Sequence, residues 1–454
     1  MNRTNKISIK QIESLLESRQ EKSLIELLSG LHPADIADLI DHLSSDDQKK
    51  KVFFLLDVEI ASEVIVELSE NVRRVILKDL THDRLADIVE DLPSDEAADI
   101  LGDLPKEKAS KVLEYIPLQE SVKVKRLLKY PEETAGGLMQ TELLVLLATI
   151  TVEEAIKQIR QIALASEGEY HTVFVVNKKQ RPLGLIPLHR LISAHPTQTL
   201  SQIMEKSPVL IHVDEDREEV AKKFQKYDLV SAPVIDHSGI LLGRITIDDI
   251  MDVVEEETSE DFYRLAGTDV EEVVYGGNVM RIAGIRLPWL LTNLFGGLFT
   301  GYLMWLFKVT LSHVLVLVTF IPVITGMGGN IGLQSSTISV RGWATGKISL
   351  YSFRYHLFKE IKVALLMAAA CGLTVGLVAY LWHGEHPFLG VVVGLSMFCA
   401  MNIAVLMGTL MPAILRRLGV DPAVASGPFV TTANDIVGIL VYMVIATVFL
   451  KYLW

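Results

Sequence analysis

Only two cysteines occur in this 454-residue chain, Cys371 and Cys399, and both lie in apolar runs, which excludes a disulfide framework and a cysteine-based metal site. They read as small helix-packing residues. His32, His42 and His82 lie on polar helix faces without ligand spacing, and His383 and His386 flank an outer loop where plain solvation accounts for them. The sequence has no Walker loop, no Ser-His-Asp arrangement and no Cys/His cluster, so it gives no reason to expect an enzyme. Met1 to Gln20 are polar and charged with no apolar core, which excludes a secretory signal and leaves the N-terminus in the cytoplasm.

Acids are scarce in one part of the chain and abundant in the other. Residues 281–454 hold 11 Lys or Arg against 4 acids, whereas residues 1–280 hold 32 against 52. An acidic, soluble first part joined to a slightly basic, apolar second part suggests a cytosolic module attached to a membrane domain, and makes nucleic acid a poor partner. Five apolar stretches are long enough to cross a bilayer, roughly 285–307, 313–340, 361–382, 388–415 and 424–450. Arg281, Arg286, Arg341, Lys347, Arg354, Lys359, Lys362, Arg416 and Arg417 flank one side, and only Lys308 and Lys451 the other. The positive-inside rule then predicts a multi-pass protein of the plasma membrane with a cytoplasmic N-terminus and the C-terminus outside.

Asp435 is the one acid inside such a run, and intramembrane acids are functional-site hypotheses by default. Glu360, Glu385 and Asp421 are expected at stretch ends, near water. In the second stretch, Pro322 and the run Gly326-Met327-Gly328-Gly329-Asn330-Ile331-Gly332-Leu333-Gln334 predict a broken helix whose freed carbonyls line a watery cavity. Close packing through small residues is the alternative.

The soluble part opens with short amphipathic helices carrying a repeat: Leu31 to Leu43, Leu80 to Leu92 and Leu92 to Leu104 share terminal leucines and an Ala-Asp-apolar centre. Such a repeat predicts a stacked, solenoid-like helical domain. Asp95, Asp99 and Asp103 share one helix face after Pro93 and an expected cap at Ser94, at a spacing where like charges repel and a divalent cation would relieve them. For most of these acids, solubilising charge suffices as an explanation. Residues 134–257 carry two copies of a helix-strand-turn-strand pattern, with strand pairs predicted at Thr172 to Asn177 with Leu183 to Pro187, and Ala232 to Asp236 with Leu241 to Ile247. An acidic run from Asp248 to Asp261 follows and leads toward the first apolar stretch.

The two copies resemble a CBS-domain pair, through Ala232-Pro233-Val234-Ile235-Asp236, Gly239 and Gly243. That resemblance implies an adenine-nucleotide site at Thr246 and Asp249, a Thr-x-x-Asp after the last strand, while the first copy has Pro187 and Arg190 there. The whole order of domains, with Gly328-Gly329-Asn330-Ile331-Gly332-Leu333-Gln334, Asp421-Pro422-Ala423, Gly427-Pro428 and Asp435, resembles the MgtE family of magnesium channels. The expected fold is thus a multidomain α plus α/β membrane protein: a superhelical N-domain (1–132), a tandem CBS pair (133–257, copies 133–198 and 199–257), an acidic connecting helix (258–282) and a five-helix membrane domain (283–454).

The resemblance implies a homodimer in the lipid bilayer whose two Asp435 carboxylates, with Asn330 and the carbonyl of Gly326, hold a largely hydrated Mg²⁺, with Co²⁺ as a similarly hydrated passenger. It implies regulatory Mg²⁺ at Asp91, Asp95, Asp216, Glu218, Asp228, Asp249, Asp252, Glu257, Glu260, Asp261 and Asp421, closing the pore when cytosolic Mg²⁺ is abundant, with ATP as a second ligand of the CBS pair. The internal repeat permits a slipped match at Asp91 and Asp95. A nucleotide-sensing membrane receptor without transport is the competing reading, but it gives no reason for Asp435.

Overall fold

The computed structural model describes residues 9–163, 170–206, 208–269, 279–349, 352–384, 386–420, 422 and 427–453. Two compact units divide between Glu255 and Glu256.

The first unit begins with the helical stack. Its helices pack on their second neighbours: Pro33–Asp41 on Val58–Glu67, His82–Asp91 and then Lys106–Tyr115 in one row, with Asp46–Phe54 on Glu70–Asp79 and Ser94–Gly102 on Leu118–Leu127 in the other. The repeating unit is therefore a helix pair, and the leucines that bound each copy close the pair. Helices this short leave carbonyls unpaired at their C-termini, and a neighbouring cation supplies the missing donors. Lys108 Nζ donates to the carbonyls of Leu77 at 2.6 Å and Leu80 at 2.9 Å, and Arg84 donates to that of Leu56, the equivalent place one repeat earlier. Thr81 and Ser45 cap helix starts through their hydroxyls. Ser94, expected as a cap, is instead the first residue of its helix, and its hydroxyl donates to Glu142 at 2.7 Å.

The tandem domain follows. Strands Leu144–Leu147 and Thr172–Val176 pair in parallel across the helix Val152–Ala163, and Thr172–Val176 pairs antiparallel with Pro182–Pro187. The second copy repeats this with Ile211–His212, Ser231–Ile235 and Leu241–Thr246 around Arg217–Tyr227. Each copy completes the other's sheet: Glu205–Lys206 joins Pro182–Pro187, and Gln140 bridges to Arg244. Strand positions agree with the alternating pattern to within a residue. The acidic helix starts earlier than the sequence suggests, running from Ile247 to Ala266 directly out of the last strand, because Asp249 accepts from both the amide and the hydroxyl of Thr246 in its first turn.

Among the described residues of the second unit, five helices are long and apolar enough to cross a bilayer: Val279–Leu306, the stretch Leu315–Ala344, Phe353–Trp382, Phe388–Arg417 and Pro428–Val448. The expected break in the second span is not at the glycines. Ile321–Ala344 is one uninterrupted α-helix, and the irregular backbone lies before it, in a 3₁₀ turn over Leu315–Phe320. Pro322 falls in the first helical turn, where its missing N–H costs nothing. Tyr442, fully buried, donates to the carbonyl of Leu317 at 2.9 Å and so satisfies this irregular segment inside the protein.

Glycines serve packing, as the alternative reading had it. A Cβ on Gly376 would lie 2.7 Å from the carbonyl oxygen of Gly390, and one on Gly372 2.7 Å from that of Gly394, so spans three and four meet backbone to backbone. Gly332 makes room for the side chain of Asn434, and its carbonyl abuts Gly408. The third span also begins sooner than its apolar run, at Phe353, which places Glu360 inside the helix and buries it, not at a wet end as expected.

Candidate ion-binding sites

Asp435 lies on the fifth span, half-buried, against the glycine face of the second. A Cβ on Gly329 would come within 3.7 Å of Asp435 Oδ1 and 3.2 Å of Thr431 Cγ2. A methyl at Gly329 would touch the carboxylate at ordinary van der Waals distance, whereas a larger side chain would meet it. Asn330 is the next residue, exposed, and Gly326 one turn earlier is exposed with nothing within 4 Å of its Cβ position. Among the described residues, no cation or hydrogen-bond donor meets Asp435. Asp435 thus lies beside Gly329 with no donor among the described residues, and Asn330 and Gly326 are exposed on the same helix as Gly329.

The connecting helix ends near the same element. Its last residues touch the start of the fifth span: Gly267, at φ 77°, packs on Pro428, and Gly427 lies against the carbonyl of Leu265. Of its expected metal ligands, Glu260 pairs with Arg264, and Glu257, Glu260 and Asp261 all keep electrostatic or hydrogen-bond partners. Asp421 lies outside the described residues.

The second cluster belongs to the first unit. Asp95 is 5% exposed; its Oδ2 accepts from Gln140 Nε2 at 3.2 Å, while Oδ1 has no partner. Burial, then the charge of Asp249, then that of Glu96, push the Asp95 carboxyl well above the usual carboxylate range. Burial followed by Asp249 and Asp99 raises Glu96 to about 7, and burial raises Asp249 to about 6 against the opposing hydrogen bonds from Thr246. Loss of solvation and the charge of Glu132 raise Asp99 to about 7, although this side chain keeps contact with water that screens part of the effect. Burial and Glu255 raise Asp252. Glu142 goes the other way: burial would raise it, but the Ser94 hydroxyl and Lys123 outweigh that and hold it low.

The structure thus brings Asp95 within electrostatic reach of Asp249. It separates Asp91, which sits exposed at the end of the preceding helix and accepts from Ser62. Asp216 and Asp228 cap the two ends of Arg217–Tyr227, the latter at φ 51°, and Glu218 pairs with Lys222 at 2.9 Å. Glu96, Glu132 and Glu142 were missed, because nothing in their spacing marks them; Asp99 stood in the row with Asp95, and Asp103 of that row pairs with Arg73 at 3.0 Å. Among the described residues, no three acids or imidazoles converge as a ready-made metal cage. The cluster suits a cation that keeps its waters.

Thr246 and Asp249, the expected nucleotide pair, bond each other, Oγ1 to Oδ2 at 2.6 Å.

Comparison with known proteins gives the same division of the chain. A family model described as a divalent cation transporter, MgtE, matches residues 321–445, the MgtE intracellular N domain matches 31–133, and the CBS domain matches twice, at 135–196 and 200–256. The magnesium transporter MgtE of Enterococcus faecalis is 39% identical over 328 residues, 72% of each chain, and that of Thermus thermophilus 38% identical over 330 residues, again 72% of each. Among solved structures, the cytosolic domain of the Mg²⁺ channel MgtE in complex with ATP aligns with TM-score 0.51 and 32% identity, covering 54% of this chain and all of that one. With domains, spans and relatives in agreement, this multi-pass membrane protein belongs to the MgtE family of divalent cation transporters.

Proposed function

We propose that this protein is a Mg²⁺ channel for uptake across the plasma membrane, formed by two copies whose Asp435 carboxylates face each other and closed by cytosolic Mg²⁺. The observation that carries the reading is Asp435, half-buried beside Gly329 and without a cation or donor among the described residues. A second copy across from it supplies the other carboxylate, and a hydrated Mg²⁺ between them, with Asn330 and the Gly326 carbonyl accepting from its waters, removes the cost of the charge. Co²⁺ would pass by the same hydration geometry. The N-terminus is cytoplasmic and the C-terminus outside, as the basic flanks of the spans support.

Gating follows from the acidic cluster. Asp95, Glu96, Asp99 and Asp249 repel one another when metal is scarce, and Mg²⁺ neutralises them and favours the compact arrangement. Asp252, Glu257, Glu260 and Asp261 are the acids this reading assigns to the connecting helix, and Asp421, outside the described residues, is assigned the same role, with Asp91, Asp216, Glu218 and Asp228 as further candidates. The contact of Gly267 with Pro428 gives this helix a direct hold on the span that carries Asp435. ATP would bind the tandem domain around Thr246 and Asp249, a reading supported by the relative solved with ATP.

Mg²⁺ flux into proteoliposomes tests the pore. Asp435→Ala should abolish uptake while the protein still elutes as a folded dimer; undiminished flux would refute the assignment.

A further inference from the structure

Glu360 and His356 are titratable groups on the third span that neither the pore nor the acidic cluster uses. They stand one turn apart, facing the second span. Glu360 is 8% exposed, and its Oε2 takes a hydrogen bond from Ser335 Oγ at 3.1 Å. His356 Nε2 lies 3.2 Å from Ser339 Oγ. Ser335 and Ser339 are buried on the face of the second span turned away from Asn330.

When the Ser339 hydroxyl donates to the carbonyl of Ser335, at 2.8 Å, it accepts from His356 Nε2, which then carries the ring hydrogen. Any further proton on this pair resides on His356 Nδ1 or on Glu360. With that proton the pair is neutral overall, as imidazolium with carboxylate or imidazole with carboxylic acid. Without it, a buried carboxylate stands uncompensated.

Few other charges compete. Lys359 and Lys362 on the same helix are exposed, as is Arg341 on the second span, and the fourth span carries no ionisable side chain but Cys399 before Arg416. The second and third spans pack chiefly on the fourth, not on each other, so these two polar rungs are a principal direct tie between them.

We propose that Glu360 and His356 form a proton-binding latch between the second and third spans, through which Mg²⁺ flux responds to pH on the side where the second span ends. The protonated latch holds the helix that carries Asn330 in its conducting place. Loss of the proton draws Glu360 toward water and loosens that helix. The flux readout rests on the channel reading; the latch itself does not.

Three full-length proteins in proteoliposomes decide it. As pH is raised, wild-type flux should fall about threefold or more beyond any fall seen in Glu360→Gln, and Glu360→Ala should stay low throughout. The cytosolic acids titrate in all three, so only the difference between variants reports the latch. Parallel profiles for wild type and Glu360→Gln would overturn it. If wild type carries no flux at any pH, the channel reading fails, and hydrogen exchange over residues 353–362 judges the latch alone: wild type should lose protection relative to Glu360→Gln as pH is raised, and equal protection at every matched pH would overturn it.

Discussion

Gln140 Nε2 donates to Asp95 Oδ2 at 3.2 Å, so a side chain of the tandem domain holds the buried acid of the helical stack. The same amide's oxygen accepts two N–H groups of Arg244, at 3.0 and 2.7 Å, and all three residues are buried. Gln140→Leu would remove the amide donor from Asp95 and the amide acceptor from two N–H groups of Arg244. We expect a loss of about 2–4 kcal/mol in metal-free protein, read from denaturant unfolding, and a smaller loss in saturating Mg²⁺.

The acidic cluster has a pH signature of opposite sign to ordinary ion pairs. Carboxyls raised on folding bind protons more tightly in the folded state, so metal-free protein should be most stable near the unfolded carboxyl range, about pH 4. Stability should then fall as pH rises toward the folded values of about 6 for Asp249 and about 7 for Glu96, and level off above them. Mg²⁺ should abolish the decline. A melting temperature that rises between about pH 5 and about pH 8 in chelator would contradict the cluster.

At the pore, Gly329→Leu should push Asp435 away from the second span and cut uptake at least tenfold, about 1.4 kcal/mol or more of lost ion stabilisation. Gly329→Ala meets Thr431 at 3.2 Å, a contact that a small shift relieves, so its uptake should stay within about threefold of wild type. Flux assays on the two variants side by side check the ordering.

Gly427→Ala places a methyl against the carbonyl of Leu265, at the joint between the connecting helix and the fifth span. Feedback should suffer more than conduction: the internal Mg²⁺ needed to halve the flux should rise several-fold, while flux at low internal Mg²⁺ changes little. Flux measured against internal Mg²⁺ separates the two.

Much of the architecture was legible because its signals are local. The strand pairs follow their alternation, and the five long helices fall on the apolar runs. Asp435 was legible for the same reason, since one acid in an apolar run needs no tertiary knowledge. Glu96 and Glu142 were not, because only the packing of helix Ser94–Gly102 beside Gln140 and Thr141 buries or engages them. The second span misled for a physical reason: glycines weaken an isolated helix, yet here Asn434 and Gly408 occupy the space they leave, so packing restores what propensity lacks. Glu360 was misplaced because helix Phe353–Trp382 extends a polar turn or two beyond its apolar run.

The exchange of edges within the tandem domain has a consequence for building chimeras. Glu205–Lys206 closes the first copy's sheet, and Gln140 closes the second's, so each copy lends the other its last row of backbone hydrogen bonds. Swapping one copy for that of a relative would leave open strand edges on both sides of the graft and sever Gln140 from Arg244. The inheritable module is the pair together with Gln140, and a transplant that respects this boundary is the one that should arrive folded.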